Sequence, residues 1–210
     1  MVYTSVKGAK EALGASSPHA AALWPMVAVG EKKYYFSAMF AALTAYTDAN
    51  NADVPYESPS NKDLRITATV LKDGTTVALD QQQANDVLNA NGVITAVNAD
   101  GFKSWGNNTA AYPSTTDPKD RWWAVRRFFD WDGNNFIQTY FQKVDKPGNK
   151  RLIQSIVDSQ NIIGNGYVAR DYCAGYRVEF RSDENPVTNL LDGHLTTHTY
   201  LAPYIPAEYI

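Results

Sequence analysis

Cysteine is nearly absent. The 210 residues include one, Cys173, so no internal disulfide can form and nothing demands an oxidising compartment. A lone cysteine without a Cys or His neighbour reads as packing material. Histidine is scarce too. His194 and His198 stand four apart, which on a helix is a zinc spacing. Their β-branched setting, "HLTTHTYL", predicts a strand instead, where four residues span about 13 Å, too far for two imidazoles to share a metal. Long apolar runs are missing: none approaches the ~20 residues of a membrane-spanning helix. "MVYTSVKGAKEALG" also lacks the apolar centre of a signal peptide. The expectation is a chain made in a cytoplasm, which leaves the Asn107-Asn108-Thr109 sequon unused. Positive charge is not in excess. A net charge of −3 argues against a generic nucleic-acid binder, which needs a basic surface to displace counterions from phosphate. Neither G-x-G-x-x-G nor a phosphate-binding lysine loop occurs, so no nucleotide cofactor is predicted.

What is present suits a folded domain, or one domain with a smaller appendage: 44% hydrophobic and 20% charged residues. "SVKGAKEALG" predicts a short helix stopped by Gly14. "AALWPMVAVGEKKYYF" predicts two strands around a Gly-Glu-Lys turn. Ser37 is placed to cap "AMFAALTAYTDAN", where Met39, Leu43 and Tyr46 recur at helical spacing. "NADVPYESPSNKD" is a loop by composition. "LRITATVLKDGTTVALD" reads as a hairpin turning at Asp73-Gly74. Asp80 caps "QQQANDVLNAN", Gly92 closes it, and "VITAV" is a buried strand. "NKRLIQSIVDSQNIIGNG" is an amphipathic helix with Leu152, Ile153, Ile156 and Val157 inward. "AGYRVEFRS" and "LTTHTYLAP" are strands joined by the turn "DENPVTNLLDG". Interspersed helices and strands predict a mixed α/β (α+β) fold, a mixed sheet with flanking helices.

The densest stretch is "NNTAAYPSTTDPKDRWWAVRRFFDWDGNN", residues 107–135, with three tryptophans and four aspartates. Asp117-Pro118 is a helix start. From Lys119, the residues Trp122, Val125, Phe128 and Phe129 keep the helical period, with Arg121, Arg126 and Arg127 interleaved. Asp132-Gly133-Asn134 reads as a break before "FIQTYFQKV" resumes the pattern. With Asp130, that break faintly suggests a calcium loop, but the glycine comes too early and Thr139 stands where a bidentate glutamate is needed. Asp117, Asp120, Asp130 and Asp132 beside Trp122, Trp123 and Trp131 suggest a carbohydrate-binding or carbohydrate-processing domain, the alternative function. No motif fixes a nucleophile or an oxyanion hole, so no catalytic residue is assigned. Tryptophan–arginine interleaving can also stack single-stranded nucleic acid. The acidic chain favours protein partners, with the aromatics building a core and the arginines serving packing or contacts.

Three segments carry a family resemblance: "LNANGVITAVNADGFKSWGNNTAAYPSTTDPKDRWWAVRRFFDW", "TYFQKVDKPGNKRLIQSIVDSQNIIGNGYVARDY" and "ENPVTNLLDGHLTTHTYLAPYIPAEYI". They resemble the tail sheath subunits of contractile phage tails, most closely the P2-like group, and those of phage-tail-like bacteriocins. The most specific parts are the Trp105-Gly106-Asn107 turn with "TAAYP", the "VRRFF" helix and the Glu184-Asn185-Pro186 turn. The resemblance covers residues 20–210 and implies a structural, non-enzymatic role without cofactor or metal. Such subunits stack as a helical sleeve around a rigid tube, and a baseplate trigger lets the metastable sleeve contract and drive the tube through a cell envelope. The implied partners are other sheath subunits, the tail tube protein and the baseplate, with neither nucleic acid nor membrane. The implied location is the virion tail sheath, assembled in a bacterial host cytoplasm.

The resemblance also implies that residues 1–100 are the remainder of the sheath core domain and 101–210 the inner, tube-facing domain. Family subunits are longer, so the chain corresponds to their C-terminal half. Their N-terminal extension, and a strand-forming arm beyond "PAEYI", lie outside it. The expectation is a truncated piece or prophage remnant unable to build a sleeve alone. The implied tube contact is a charged helix, here the segment from Lys146 to Ile162, with Lys146, Lys150 and Arg151 at its start facing an acidic tube. A solvated helix end is the competing reading. Arg126 and Arg127 are contact candidates too, or they pair with acids of their own domain.

Overall fold

Short apolar runs bounded by turn residues build two three-stranded sheets in the first part of the chain. The computed structural model describes residues 5–208; Tyr209 and Ile210 of "PAEYI" fall outside them. The helix α1 (Val6–Ala12) ends ahead of Gly14, which adopts positive φ as its sequence predicts. Then come β1 (Ala22–Leu23), β2 (Met26–Val29), β3 (Lys32–Tyr34), α2 (Phe36–Asn50) and β4 (Ala68–Val70). A helical segment follows in three geometries: α3 (Gln81–Gln83), a π turn (Ala84–Leu88) and a 3-10 turn (Asn89–Asn91). Next are β5 (Val93–Asn98), β6 (Phe102–Trp105), α4 (Pro118–Arg121), α5 (Trp123–Tyr140), α6 (Lys150–Ala169), β7 (Cys173–Glu179), α7 (Val187–Leu191) and β8 (His198–Pro203). The mixed α+β class holds.

The chain divides into two compact units, one running to Phe128 and including residues from Ile205, the other Phe129–Tyr204. A division at 100/101 would cut the β5–β6 hairpin, whose strands pair from Thr95↔Trp105 to Asn98↔Phe102. In the first unit, β1 lies parallel to β5 and β6 antiparallel to it, while β2 is flanked by β3 and β4, both antiparallel. Val27, Phe36, Phe40, Leu64, Ile66, Ile94 and Ala96 form its main core. Fully burying such side chains stabilises by about 1.5–3 kcal/mol each.

Several expectations shift locally. Helix α2 begins at Phe36 with Tyr35 as its cap residue, two residues earlier than a Ser37 cap predicts. Its buried residues are Phe36, Phe40, Thr44 and Thr47, with Met39 and Leu43 beside the core and Tyr46 exposed. The two threonines are tolerated inside because each hydroxyl donates to a carbonyl four residues back. The Asp73-Gly74 turn forms, with Leu71 N–H donating to Thr75 O at 2.8 Å. Its second arm keeps only the bridge Val70↔Thr76, because Val77 and Leu79 turn inward against Leu88 and Val93. Asp80 caps as predicted, within a full capping box to Gln83.

In the second unit β7 and β8 pair antiparallel and α6 packs on β7. Gln160, Gly164 and Tyr167 are buried along α6 with Ile156, while Leu152, Ile153 and Val157 are half-buried. The inner stripe therefore runs further along the helix than its first two turns suggest. Asn161 reaches from α6 to β7, accepting from Val178 N–H at 2.8 Å and donating to Val178 O at 2.8 Å. Asn185 closes the following turn by donating to the carbonyls of Arg181 and Thr196 and accepting from Thr196 N–H.

Candidate functional site

The tryptophan–aspartate stretch begins as its sequence predicts. Asp117 accepts from Lys119 N–H at 2.9 Å, and Pro118 opens α4. The predicted continuous helix then breaks at Trp122, which takes an extended backbone and bridges Asn108. Backbone bonds on either side fix the break: Thr109 N–H to Arg121 O and Trp123 N–H to Asn107 O, both 2.7 Å. Helical period could not foresee it, since the partner lies in the preceding loop. Gly92 lies under this loop with φ +65°, and a Cβ there would stand 2.3 Å from Tyr112 O. Lys10 reaches the same carbonyl, and Asn91 O, at 2.6 Å each. Its burial lowers its pKa, against the opposing pull of Glu11.

All three arginines here have acid partners in their own unit. Arg121 lies 4.6 Å over the ring of Tyr112 and 4.1 Å over that of Trp122, donates to Asn108 Oδ1 at 3.0 Å and meets Glu208 at 3.4 Å. Arg126 pairs with Asp120 at 3.0 Å. Arg127 grips Asp48 with both terminal nitrogens and lies 6.0 Å over the Trp123 ring. Arg126 and Arg127 thus both pair with acids of their own unit. The sugar-platform alternative loses its parts: Trp122 is buried, Trp123 packs on Phe40, Asp117 caps and Asp120 pairs with Arg126. Asn107 and Asn108 of the sequon are buried as well.

The Asp132-Gly133-Asn134 segment does not break α5. Asp132 is buried inside the helix and accepts from Tyr176 OH at 3.1 and 3.0 Å, while Gln160 donates to that hydroxyl at 2.7 Å. Burial raises the Asp132 pKa, opposed in part by the Tyr176 hydrogen bond. Burial also pushes Tyr176 above its ordinary range and Tyr167 up to about 12. Sequence reading missed this triad. The available signal was Asp132 at the seventh position after Val125, on the stripe of Val125 and Phe128, where a carboxylate needs a buried partner. Gly164 permits the arrangement: a Cβ there would lie 1.8 Å from Tyr176 Cδ1. The Trp131 ring packs at a tilt on Tyr167, 5.3 Å between centroids, and the Tyr167 ring meets Tyr176 edge-on at 5.7 Å.

Lys146, Lys150 and Arg151 are placed differently. All three are exposed and form no ion pair among the described residues. Lys146 precedes the helix; α6 starts at Lys150, with Asn149 accepting from Leu152 N–H at 2.9 Å. Lys150 and Arg151 border an open groove with Gln154, Ser155 and Asp158. Cations in a first helical turn oppose the helix dipole, an unfavourable placement by about 0.3–1 kcal/mol each. His198 starts β8 and meets Glu184 at 2.8 Å, and Cys173 is buried as packing. No group of three metal-ligating side chains occurs among the described residues, and no helix there is long and apolar enough to cross a membrane.

No family model matches the chain. Over 149 residues it is 30% identical to the tail sheath protein of Burkholderia phage BcepMu, covering 70% of this chain and 31% of the relative. It is 30% identical over 128 residues to the tail sheath protein of Escherichia phage P2, covering 59% and 30%. The chain's match thus spans about a third of the length of these curated relatives. Among solved structures, the PVC sheath complex of an extracellular contractile injection system, in its contracted state, superposes with a TM-score of 0.83 at 18% identity. That match covers 100% of this chain and 59% of the other. Fold and sequence point the same way, and the resemblance read from the residues is borne out.

Proposed function

The chain is a relative of contractile tail sheath proteins, and from that kinship we propose that it is part of a sheath subunit that polymerises around a tail tube and contracts to drive it through a cell envelope. The kinship itself carries the reading. It is supported by a first unit whose arginines on the dense stretch are paired internally, so those pairs need not be remade when one set of neighbours is exchanged for another. In this reading the chain performs no catalysis and needs no cofactor. Its partners are other sheath subunits, the tail tube and the baseplate, and its place is the tail of a virion or phage-like particle assembled in a bacterial cytoplasm. The proposed inner, tube-facing part lies within residues 101–210, in the second unit, Phe129–Tyr204.

Lys146, Lys150 and Arg151 are the proposed tube contact. All three are exposed and form no ion pair among the described residues, and Lys150 and Arg151 stand in a first helical turn that electrostatics disfavours for cations, which supports that role. A contact made of exposed charge can also release and re-form as the sleeve slides. The test is to produce the intact gene product with its tube protein and fractionate by size. Both should migrate together in large particles. A folded product that stays apart from assembled tubes would refute the proposal.

A further inference from the structure

The two end segments of the first unit are both fastened at Tyr112. Helix α1 has no fully buried residue; Val6 packs half-buried beside Val77, Leu79, Leu88 and Val93. Its polar anchor is Lys10, whose amino group donates to Tyr112 O and Asn91 O at 2.6 Å each. At the other end, residues 204–208 form neither helix nor strand. Strand β8 stops at Pro203, and Pro206 has no N–H with which to extend a ladder. Side chains have to hold this segment. Pro206 and Glu208 are half-buried while Ile205 and Ala207 are exposed, the alternation of an extended strip laid on the unit. The Glu208 carboxylate meets Arg121 at 3.4 Å, their side chains 20% and 26% exposed. Arg121 is set in advance. Its guanidinium lies 4.6 Å over the Tyr112 ring and 4.1 Å over the Trp122 ring and donates to Asn108 at 3.0 Å, so little further ordering is needed to take a carboxylate. Tyr112 therefore carries one fastening on its carbonyl and supports the other with its ring.

We propose that Tyr112 is a joint that couples the two segments. Lys10 on its carbonyl sets the position of the ring that supports Arg121, and Arg121 in turn holds Glu208, so that freeing either segment loosens the other. The carbonyl and the ring share one Cα and a planar peptide, and a shift of one carries the other with it. A single free energy links the two ends, which makes the effect reciprocal. The proposal concerns the folded chain alone and stands apart from the sheath reading.

A nitroxide on Ala207→Cys reads the C-terminal segment, and because Cys173 is buried the label enters at position 207. Glu208→Gln and Arg121→Gln should each shorten the label's rotational correlation time about threefold. Lys10→Met, which keeps an apolar stem in α1 and removes the donor, should shorten it about twofold. In the reverse direction, Glu208→Gln should speed amide hydrogen exchange across α1 about twofold. Arg127→Ala weakens the same unit at another place and should move neither readout, which separates coupling from general loosening. Circular dichroism checks that each variant folds. The proposal fails if Lys10→Met leaves the label unchanged, if Glu208→Gln leaves it slow, or if Arg127→Ala moves both readouts as far as Lys10→Met does.

Discussion

Arg127 and Arg151 carry the same charge on helices of similar length, yet their surroundings are opposite. Arg127 is held in a two-pronged grip on Asp48 beside the Trp123 ring. Arg151 is exposed in the first turn of α6 with no ion pair among the described residues. A partly buried charge must be paired where it sits, so it serves the fold. A charge left in water against the helix dipole adds nothing to the fold and remains available to a partner. The sequence shows arginine in both places; only three-dimensional placement separates them.

The largest effect expected from breaking this comparison comes from the polar interior of the second unit. Gly164→Ala places a methyl into the Tyr176 ring and should destabilise by about 3 kcal/mol, measured by urea denaturation. Next is Arg127→Ala, which strands Asp48 and should lose about 2 kcal/mol; Arg127→Lys should restore only part, because it cannot repeat the planar two-point contact.

Asp132 gives a smaller effect with a definite pH sign. Burial raises its folded pKa above the ordinary 3.8. The neutral form therefore favours the fold: its contribution is greatest below the unfolded value, declines as pH rises through the folded value, and is flat beyond. Asp132→Asn should remove that decline and raise stability near neutral pH by up to about 1 kcal/mol, read from urea midpoints across acidic to neutral pH. A decline that persists in the variant would show that another group causes it.

The smallest effect on stability belongs to the exposed charges. Replacing Lys146, Lys150 and Arg151 together by glutamate should leave unfolding within about 0.5 kcal/mol of the unaltered chain, or slightly more favourable, because acids suit a helix N-terminus. A loss as large as that of Arg127→Ala would erase the distinction.

What was legible in the sequence was local. Asp80 with Gln83, and Asp117 with Pro118, announce helix starts because the capping chemistry lies within three residues. The strands at 93–98, 173–179 and 198–203 follow from β-branched and apolar runs. The break at Trp122 was hidden, since it depends on Asn107 and Thr109 reaching across from a loop. Asp132-Gly133-Asn134 misled for the converse reason: residues that end helices in isolation stay helical when Asp132 finds a buried hydroxyl. Gly164 looked like an ordinary glycine in a helix until Tyr176 was seen lying on it. At the proposed contact, Lys146, Lys150 and Arg151 were picked out by charge and position. The sequence could not tell them apart in kind from Arg126 and Arg127, because their acid partners lie six and 79 residues away.

The most direct measurement is electron microscopy of the intact gene product made together with its tube protein, unaltered and with Lys146, Lys150 and Arg151 all changed to glutamate. The account predicts tubes clad in regular sleeves for the unaltered protein and bare tubes for the variant. Bare tubes beside well-folded unaltered protein would contradict the sheath reading, and sleeves of normal appearance from the variant would contradict the tube contact.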